Sequence, residues 1–258
     1  MVNIEERTGQ FLRSLPFFSN LPEMDLMAFM KSAQVRDYKK QQHLFARGDK
    51  ADRFFIIISG WIKLHRETPE GEEAIVALFT RSDVFGEAAI FGGADYPFSA
   101  EVVEDTRVAE IPSSILKERA GANPAIMERI MASMSREMHQ LQMETEHLAL
   151  MSAPQRVGCL LLQLSSGMVG DGGTMTFPYD KSLAAARLGM KPETFSRALA
   201  QLKPAGVTVR GSEVEIDSFG HLAEFTCSHC SMAGECSSAC HAACAENARQ
   251  KKRARPAD

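Results

Sequence analysis

The sequence predicts an α+β protein with an N-terminal β-roll, a long dimerisation helix and a C-terminal winged helix-turn-helix. Three observations predict this order: short β runs punctuated by glycine, one long helix with a heptad pattern, and a helix-turn-helix pattern followed by a hairpin. The 258 residues suffice for two modest domains, each with its own core. We expect the β-roll at 1–122, the long helix at 123–151, the winged helix-turn-helix at 152–225 and a Cys-rich basic tail at 226–258.

Composition bounds the class of protein. The net charge is −4 and 45% of the residues are hydrophobic, which is typical of globular domains. The first residues are acidic, and no apolar run reaches the ~18 residues of a membrane span, so we expect a cytoplasmic protein without a membrane partner. No combination of nucleophile, base and orienting group stands out, so we do not expect an enzyme.

The first half of the chain alternates between β runs and turns. Two short amphipathic helices are expected in residues 8–34, separated by Pro16 and Pro22. The clearest β runs are 54–64, 74–79 and 107–111, with turn residues recurring between them. Many short strands at near-regular spacing indicate a closed β-roll.

A single long helix is expected from Asn123-Pro124 to about Met151. Its apolar residues follow a strict 4-3-4-3-4-3 spacing, which is the a/d pattern of a coiled coil. We expect this seam to form the interface of a homodimer; the alternative is packing against the chain's own β-roll. The seam consists of Met127, Met131, Met134, Met138, Leu141, Thr145 and Leu148.

The strongest functional pattern lies in residues 180–197. A helix at 180–188, a turn at Gly189 and a second helix opened by Pro192 follow the helix-turn-helix plan. Pro204 should end the second helix, and residues 206–216 read as a β-hairpin, that is, a wing. Residues 154–166 are expected to form a preceding helix, and 167–178 a glycine-rich connection.

One face of the second helix carries groups that can read DNA. Glu193, Ser196 and Arg197 lie at i, i+3 and i+4, so they are neighbours on this face. A carboxylate accepts from a cytosine amine, an arginine forks onto a guanine edge or a phosphate, and a serine serves either base or backbone. We add Lys191 and Thr194 as further DNA contacts.

The order of these elements resembles the CRP/FNR superfamily of bacterial transcription regulators over residues ~10–225. The motifs at 58–60, 68–73, 85–88 and 192–197 are most similar to the DNR branch, which is associated with nitric oxide and denitrification control. The resemblance implies a cyclic-nucleotide-binding-like β-roll. It also implies a homodimer that binds double-stranded palindromic DNA and, as a further partner, RNA polymerase.

The recognition helix is similar to the FNR type, Glu-x-x-Ser-Arg, in Glu193, Ser196 and Arg197. The resemblance implies TTGAT-type half-sites, with base contacts from Glu193 and Arg197 and with Ser196 selecting the outer thymine. Two-fold symmetry would place the half-sites one helical turn apart, about 34 Å.

The effector region departs from the cyclic-AMP-binding members. In those members a Glu contacts the ribose and an Arg-Ser/Thr pair binds the cyclic phosphate. Here Glu87 is present, but the clamp segment reads Phe98-Ser99. Because a buried anion would lose its charge-assisted contact, we expect no cyclic AMP and interpret Glu87 as a structural partner of the roll.

Five of the six cysteines lie within eighteen residues of the tail, in the run C-x2-C-x5-C-x3-C-x3-C. Close-set thiolates suit a soft metal, so we expect an iron–sulfur cluster of the 4Fe–4S type, with zinc or unliganded redox-active thiols as alternatives. Some FNR relatives place cluster ligands after the DNA domain, and this tail resembles that arrangement. The expected ligands are Cys227, Cys230, Cys236, Cys240 and Cys244.

Other interpretations remain open from the sequence. The DNR resemblance raises a haem in the β-roll, with His43, His65, His139 and His147 as candidate ligands. A cyclic-nucleotide-binding regulatory subunit and a redox or electron-transfer protein are the rivals from other classes. Cys159 lies in an apolar run and is interpreted as a core residue. The basic segment 249–255 is either solvated or a non-specific contact to DNA.

Overall fold

The computed structural model describes residues 4–19, 21–67, 73–93, 95–165, 168, 170–177 and 180–227. These residues fall into two compact units, within Met1–Met138 and His139–Asp258. Helix α5 (Pro124–Leu150) runs through the division between them. The predicted α+β fold of β-roll, long helix and winged helix-turn-helix is confirmed.

The first unit is a β-roll of two antiparallel four-stranded sheets, preceded by helices α1 (Ile4–Ser14) and α2 (Glu23–Ser32). The strands are β1 (Gln34–Tyr38), β2 (His43–Phe45), β3 (Arg53–Ser59), β4 (Ile62–Glu67), β5 (Glu73–Phe79), β6 (Val84–Phe85), β7 (Ser99–Val102) and β8 (Thr106–Pro112). They run in the order β1-β8-β3-β6 in one sheet and β2-β7-β4-β5 in the other. Helix α3 (Glu87–Gly92) follows β6, and α4 (Ser113–Ala122) follows β8.

The long apolar run 54–64 is divided into β3 and β4 by a turn at Gly60. Gly60 has a φ of +96°, and a Cβ there would lie 2.2 Å from the Thr106 hydroxyl oxygen. Only glycine fits this left-handed, crowded position, so the chain can turn here from one sheet to the other.

Aromatic side chains fill the core of the roll. Phe45 stacks on Tyr96 with ring centroids 3.7 Å apart, and Phe55 stacks on Phe85 at 5.1 Å. Fully burying side chains of this size stabilises the fold by about 1.5–3 kcal/mol each. This aromatic core holds the two sheets together and so positions their loops and outer faces.

The second unit contains helix α6 (Ala153–Leu164), the two helices of the helix-turn-helix and a three-stranded sheet. A capping box between Ser152 and Gln155 begins α6. The remaining elements are β9 (Gly173–Thr176), α7 (Lys181–Arg187), α8 (Pro192–Ala200), a 3-10 helix (Lys203–Ala205), β10 (Val207–Arg210), β11 (Glu213–Ile216) and α9 (Phe219–Thr226).

One expectation for this unit was wrong. The glycine-rich segment 167–178 is not only a connection, because it contains β9, which pairs antiparallel with β11. The wing is therefore a three-stranded sheet of order β10-β11-β9. Residues 174–177, Thr-Met-Thr-Phe, alternate between polar and apolar side chains as a strand does, and pairing with β11 satisfies their backbone groups. Among the described residues, no helix is long and apolar enough to cross a membrane.

Candidate nucleic-acid interface and effector region

The helix-turn-helix is stabilised by a helix cap on α7 and by two buried side chains of α8. Asp180 caps α7, accepting a hydrogen bond of 2.8 Å from the Leu183 backbone N–H. Gly189, at φ +60°, turns the chain, and Pro192 opens α8 at its first position. Phe195 and Leu199 on the inner face of α8 are buried. These contacts fix which face of α8 points outward.

The outward face of α8 carries the predicted reading residues. Glu193, Thr194, Ser196 and Arg197 are all exposed, as is Lys191 at the N-terminal cap. In the part of the chain that the structure describes, no hydrogen bond or ion pair engages the Glu193, Ser196 or Arg197 side chains. Their donors and acceptors are therefore free to face the major groove of B-DNA, which is about 12 Å wide and admits one helix.

The long helix is tied to the helix-turn-helix within the second unit. The Arg187 guanidinium, in the last turn of α7, donates to the Glu144 carboxylate of α5. The Arg156 guanidinium of α6 donates to the Leu188 carbonyl at 2.9 Å and so satisfies the C-terminal end of α7. These two contacts join α5 and α6 to the C-terminal end of α7.

The predicted seam lies on the solvent-exposed face of α5. In the single chain, the exposed fraction is 36% for Met127, 63% for Met131 and 58% for Met138. Ile126 and Ile130, on another face, are buried in the core of the roll. Within the first unit, the seam side chains of α5 are therefore not part of the described core of the roll. The other seam residues are exposed as well: Met134, Leu141, Thr145 and Leu148.

Glu87 is buried at the start of α3, where Gly86 adopts a φ of +91°. Its Oε1 accepts a 2.9 Å hydrogen bond from the Ser133 hydroxyl of α5. Burial raises the pKa of Glu87, while hydrogen bonds from its own backbone and from Ser133 oppose the rise. Glu87 thus links the roll to the long helix, in agreement with its interpretation as a structural partner.

The segment that replaces the phosphate clamp, Phe98-Ser99, makes contacts within the roll. The Arg66 guanidinium lies over the Phe98 ring, 4.7 Å from its centroid, and donates to the Pro97 carbonyl at 3.2 Å. The Ser99 hydroxyl accepts from the Arg47 backbone N–H at 3.1 Å. Both residues of the clamp segment are only partly exposed.

Of the predicted tail ligands, Cys227 alone lies in the described part of the chain. It follows the last residue of α9 and is 7% exposed. Cys230, Cys236, Cys240 and Cys244 lie outside the described residues. Cys159 is buried in α6, which confirms its interpretation as a core residue.

The structure brings together two of the candidate histidines and one residue that sequence reasoning missed. His43 and His65 lie beside Glu101, with their possible ligand atoms all within 4.8 Å. His139 is exposed on α5, whereas His147 is 9% exposed. Glu101 is 36 residues beyond His65, so only the strand order could have revealed it.

Comparisons with known proteins agree with both halves of the fold. Residues 35–121 match the family described as "Cyclic nucleotide-binding domain", and residues 155–225 match the "Crp-like helix-turn-helix domain". The fumarate and nitrate reduction regulatory protein of Vibrio cholerae is 30% identical over 217 residues, which cover 81% of this chain and 85% of that protein.

Two further relatives extend the comparison. The CRP-like cAMP-activated global transcriptional regulator of Mycobacterium tuberculosis is 28% identical over 218 residues, covering 83% of this chain and 97% of the relative. The crystal structure of a protein described as cyclic nucleotide-binding, from Ruegeria pomeroyi, is 38% identical with a TM-score of 0.63; the match covers 87% of this chain and 99% of that one. On these grounds the chain belongs to the CRP/FNR family of DNA-binding transcription regulators.

Proposed function

We propose that this regulator reads palindromic TTGAT-type half-sites as a homodimer and responds to oxygen or nitric oxide through an iron–sulfur cluster in its C-terminal cysteine tail. The single observation that carries the DNA half is the exposed, unpaired Glu193-Ser196-Arg197 face of α8. An arginine and a carboxylate one turn apart suit the guanine and the cytosine of a G·C pair. The TTGAT half-site contains one such pair.

Symmetry completes the proposal for DNA. The exposed seam of α5 would pair two chains about a two-fold axis, which presents two copies of α8. Two recognition helices one helical turn apart then require a palindrome with the same spacing, about 34 Å. The domain's affinity would come from these two patches together, because the chain as a whole is acidic.

The DNA proposal is tested with Glu193→Ala. Fluorescence anisotropy against a TTGAT palindrome and a duplex with mutated half-sites should show that the ratio of the two affinities falls by about tenfold or more, because a base-reading contact contributes about 1–3 kcal/mol. The affinity for the duplex with mutated half-sites, and the dependence of that affinity on salt, should stay unchanged. Glu224→Ala, an exposed acid on α9, is the matched control. An unchanged ratio in Glu193→Ala would refute our assignment of the reading face.

The signal is proposed to be redox or gas chemistry and not cyclic AMP. The relatives' names point in different directions, one to cAMP activation and one to fumarate and nitrate reduction. Here Phe98 stands where cyclic-AMP-binding members carry an arginine, and Glu87 is already hydrogen-bonded to Ser133. A cyclic phosphate would therefore meet an aromatic ring in place of that arginine, while the nearby Arg66 guanidinium is engaged with the Phe98 ring and the Pro97 carbonyl.

The donor set of the tail fits an iron–sulfur cluster. Five thiols within eighteen residues exceed the four that such a cluster needs, and Cys227 begins the run directly after α9. When bound, the cluster would supply oxygen- and nitric-oxide-sensitive chemistry. The chain's own contribution would be to hold it beside the DNA-binding unit, because α9 packs on α6.

This half of the proposal is tested on protein purified without oxygen. We expect iron, acid-labile sulfide and an absorption near ~400 nm that bleaches in air. The double variant Cys227→Ser, Cys230→Ser should lose these signals and keep the dimer, since the seam is separate from the tail. Cys159→Ala is the control that removes the one cysteine outside the tail. Zinc alone, or no metal, would refute the cluster and leave the DNA proposal untouched.

A further inference from the structure

A cluster of polar side chains lies on one face of the second sheet of the β-roll, far along the chain from the tail cysteines. Strands β2, β7 and β4 are neighbours in that sheet. His43 pairs with Glu101 across β2 and β7, and His65 pairs with Ser99 across β4 and β7. Because side chains alternate along a strand, Ser99 and Glu101 share a face, so both histidines lie on the face of Glu101.

The possible ligand atoms converge on one point. His43 Nε2 and His65 Nε2 each lie 3.8 Å from Glu101 Oε2, and the whole set falls within 4.8 Å. Metal–ligand bonds of about 2.0–2.1 Å at tetrahedral angles require ligand atoms about 3.3 Å apart. Two of the three separations therefore exceed this value by about 0.5 Å, and the third, between ligand atoms of the two histidines, is at most 4.8 Å.

His65 supplies an independent indication of a ligand. The residue is 2% exposed, yet neither ring nitrogen makes a hydrogen bond among the described residues. Its Nδ1 lies 2.9 Å from Glu73 Oε1, but not at hydrogen-bonding angles. Buried polar groups without a partner are rare in folded proteins and indicate an ion or another missing partner.

The charges around the site favour a cation. Glu73 and Glu101 face a single ammonium, that of Lys63, whose Nζ lies 2.5 and 3.1 Å from their carboxylate oxygens. The two carboxylates and the Lys63 ammonium together carry one net negative charge. The His43 side chain is 50% exposed and so gives a path from solvent. Two imidazoles and one carboxylate, with an open side, form the ligand set of a zinc site that keeps one position for water.

We propose that His43, His65 and Glu101 bind a divalent transition-metal ion of the zinc type in the β-roll. This site is independent of the iron–sulfur cluster of the tail. Occupancy would fix β2, β7 and β4 to one another next to Phe98 and Ser99, in the segment that replaces the phosphate clamp.

The test uses the full chain with its five tail cysteines changed to serine, so that only the roll can compete for metal. Isothermal titration with Zn²⁺ should give one site per protomer, and Co²⁺ should give a visible tetrahedral spectrum without thiolate charge transfer. His43→Ala, at an exposed position, should weaken Zn²⁺ binding by more than about tenfold. His221→Ala, an exposed histidine of α9, is the matched control and should bind as the parent does.

A second variant separates a metal site from a purely structural cluster. Lys63→Met removes the ammonium that competes for Glu101, so Zn²⁺ should bind more tightly, and Zn²⁺ should raise the Tm of this variant more than that of the parent. Absence of saturable binding in the parent, or equal affinities in His43→Ala and His221→Ala, would overturn the proposal. Weaker Zn²⁺ binding in Lys63→Met would also contradict it.

Discussion

Replacing Met131 with glutamate should dissociate the proposed homodimer. Fully burying a methionine side chain contributes about 1.5–3 kcal/mol. Met131 is 63% exposed in the single chain, so the partner can bury at most that share, or about 1–2 kcal/mol per protomer. A two-fold seam loses this twice, which is about 2–4 kcal/mol and a rise in the dimer dissociation constant of about 30-fold to 10³-fold.

Sedimentation equilibrium over a range of protein concentrations measures that constant directly. Met24→Glu is the matched control, because Met24 is 71% exposed on α2 and lies off the seam. Both substitutions exchange methionine for a residue of similar helix propensity, so the monomer fold should survive in each. Equal dissociation constants for Met131→Glu and Met24→Glu would refute the seam as the dimer interface.

Two further predictions concern stability. Burial raises the pKa of Glu87 in the folded state, so the folded protein binds a proton at this carboxyl more tightly than the unfolded chain does. The stabilisation of the fold by this proton is complete below about pH 4.3 and is lost as the pH rises through the folded-state pKa of Glu87. Thermal melts should therefore show Glu87→Gln matching the wild type at pH 4 and exceeding its Tm at pH 8; equal Tm values at pH 8 would contradict this. In Gly158→Ala the new Cβ would lie 2.4 Å from the buried Thr226 hydroxyl oxygen, so denaturant melts should show a loss of about 1–3 kcal/mol as α9 shifts, whereas Gly121→Ala, with open space around it, should lose none.

The long helix α5 makes polar side-chain contacts in each of the two units. It carries Ser133, which donates to Glu87 of the roll, and Glu144, which accepts from Arg187 of α7. Glu87→Gln keeps the acceptor oxygen and removes the buried charge. Its effect on DNA affinity would therefore report how far the roll influences the recognition helix.

The amino-acid sequence by itself determined the features whose signal is local. The helix-turn-helix follows from an N-cap, a glycine turn and a proline within a few residues, and Glu193 and Arg197 must share a face because a helix repeats every 3.6 residues. The heptad of α5 predicted one apolar stripe, and these side chains are exposed in the single chain. Hydrogen bonds and steric rules between near neighbours in sequence are sufficient for each of these inferences.

Only the tertiary structure decided the features that depend on pairing between distant segments. β9 joins the wing because β11 satisfies its backbone groups, and its alternating pattern of only four residues between glycines and Pro178 does not identify that partner. Glu101 meets His43 and His65 because β7 lies between β2 and β4. Local periodicity gives the face of a residue but not the neighbour of its strand, since strand order is set by the closing of the whole roll around its aromatic core.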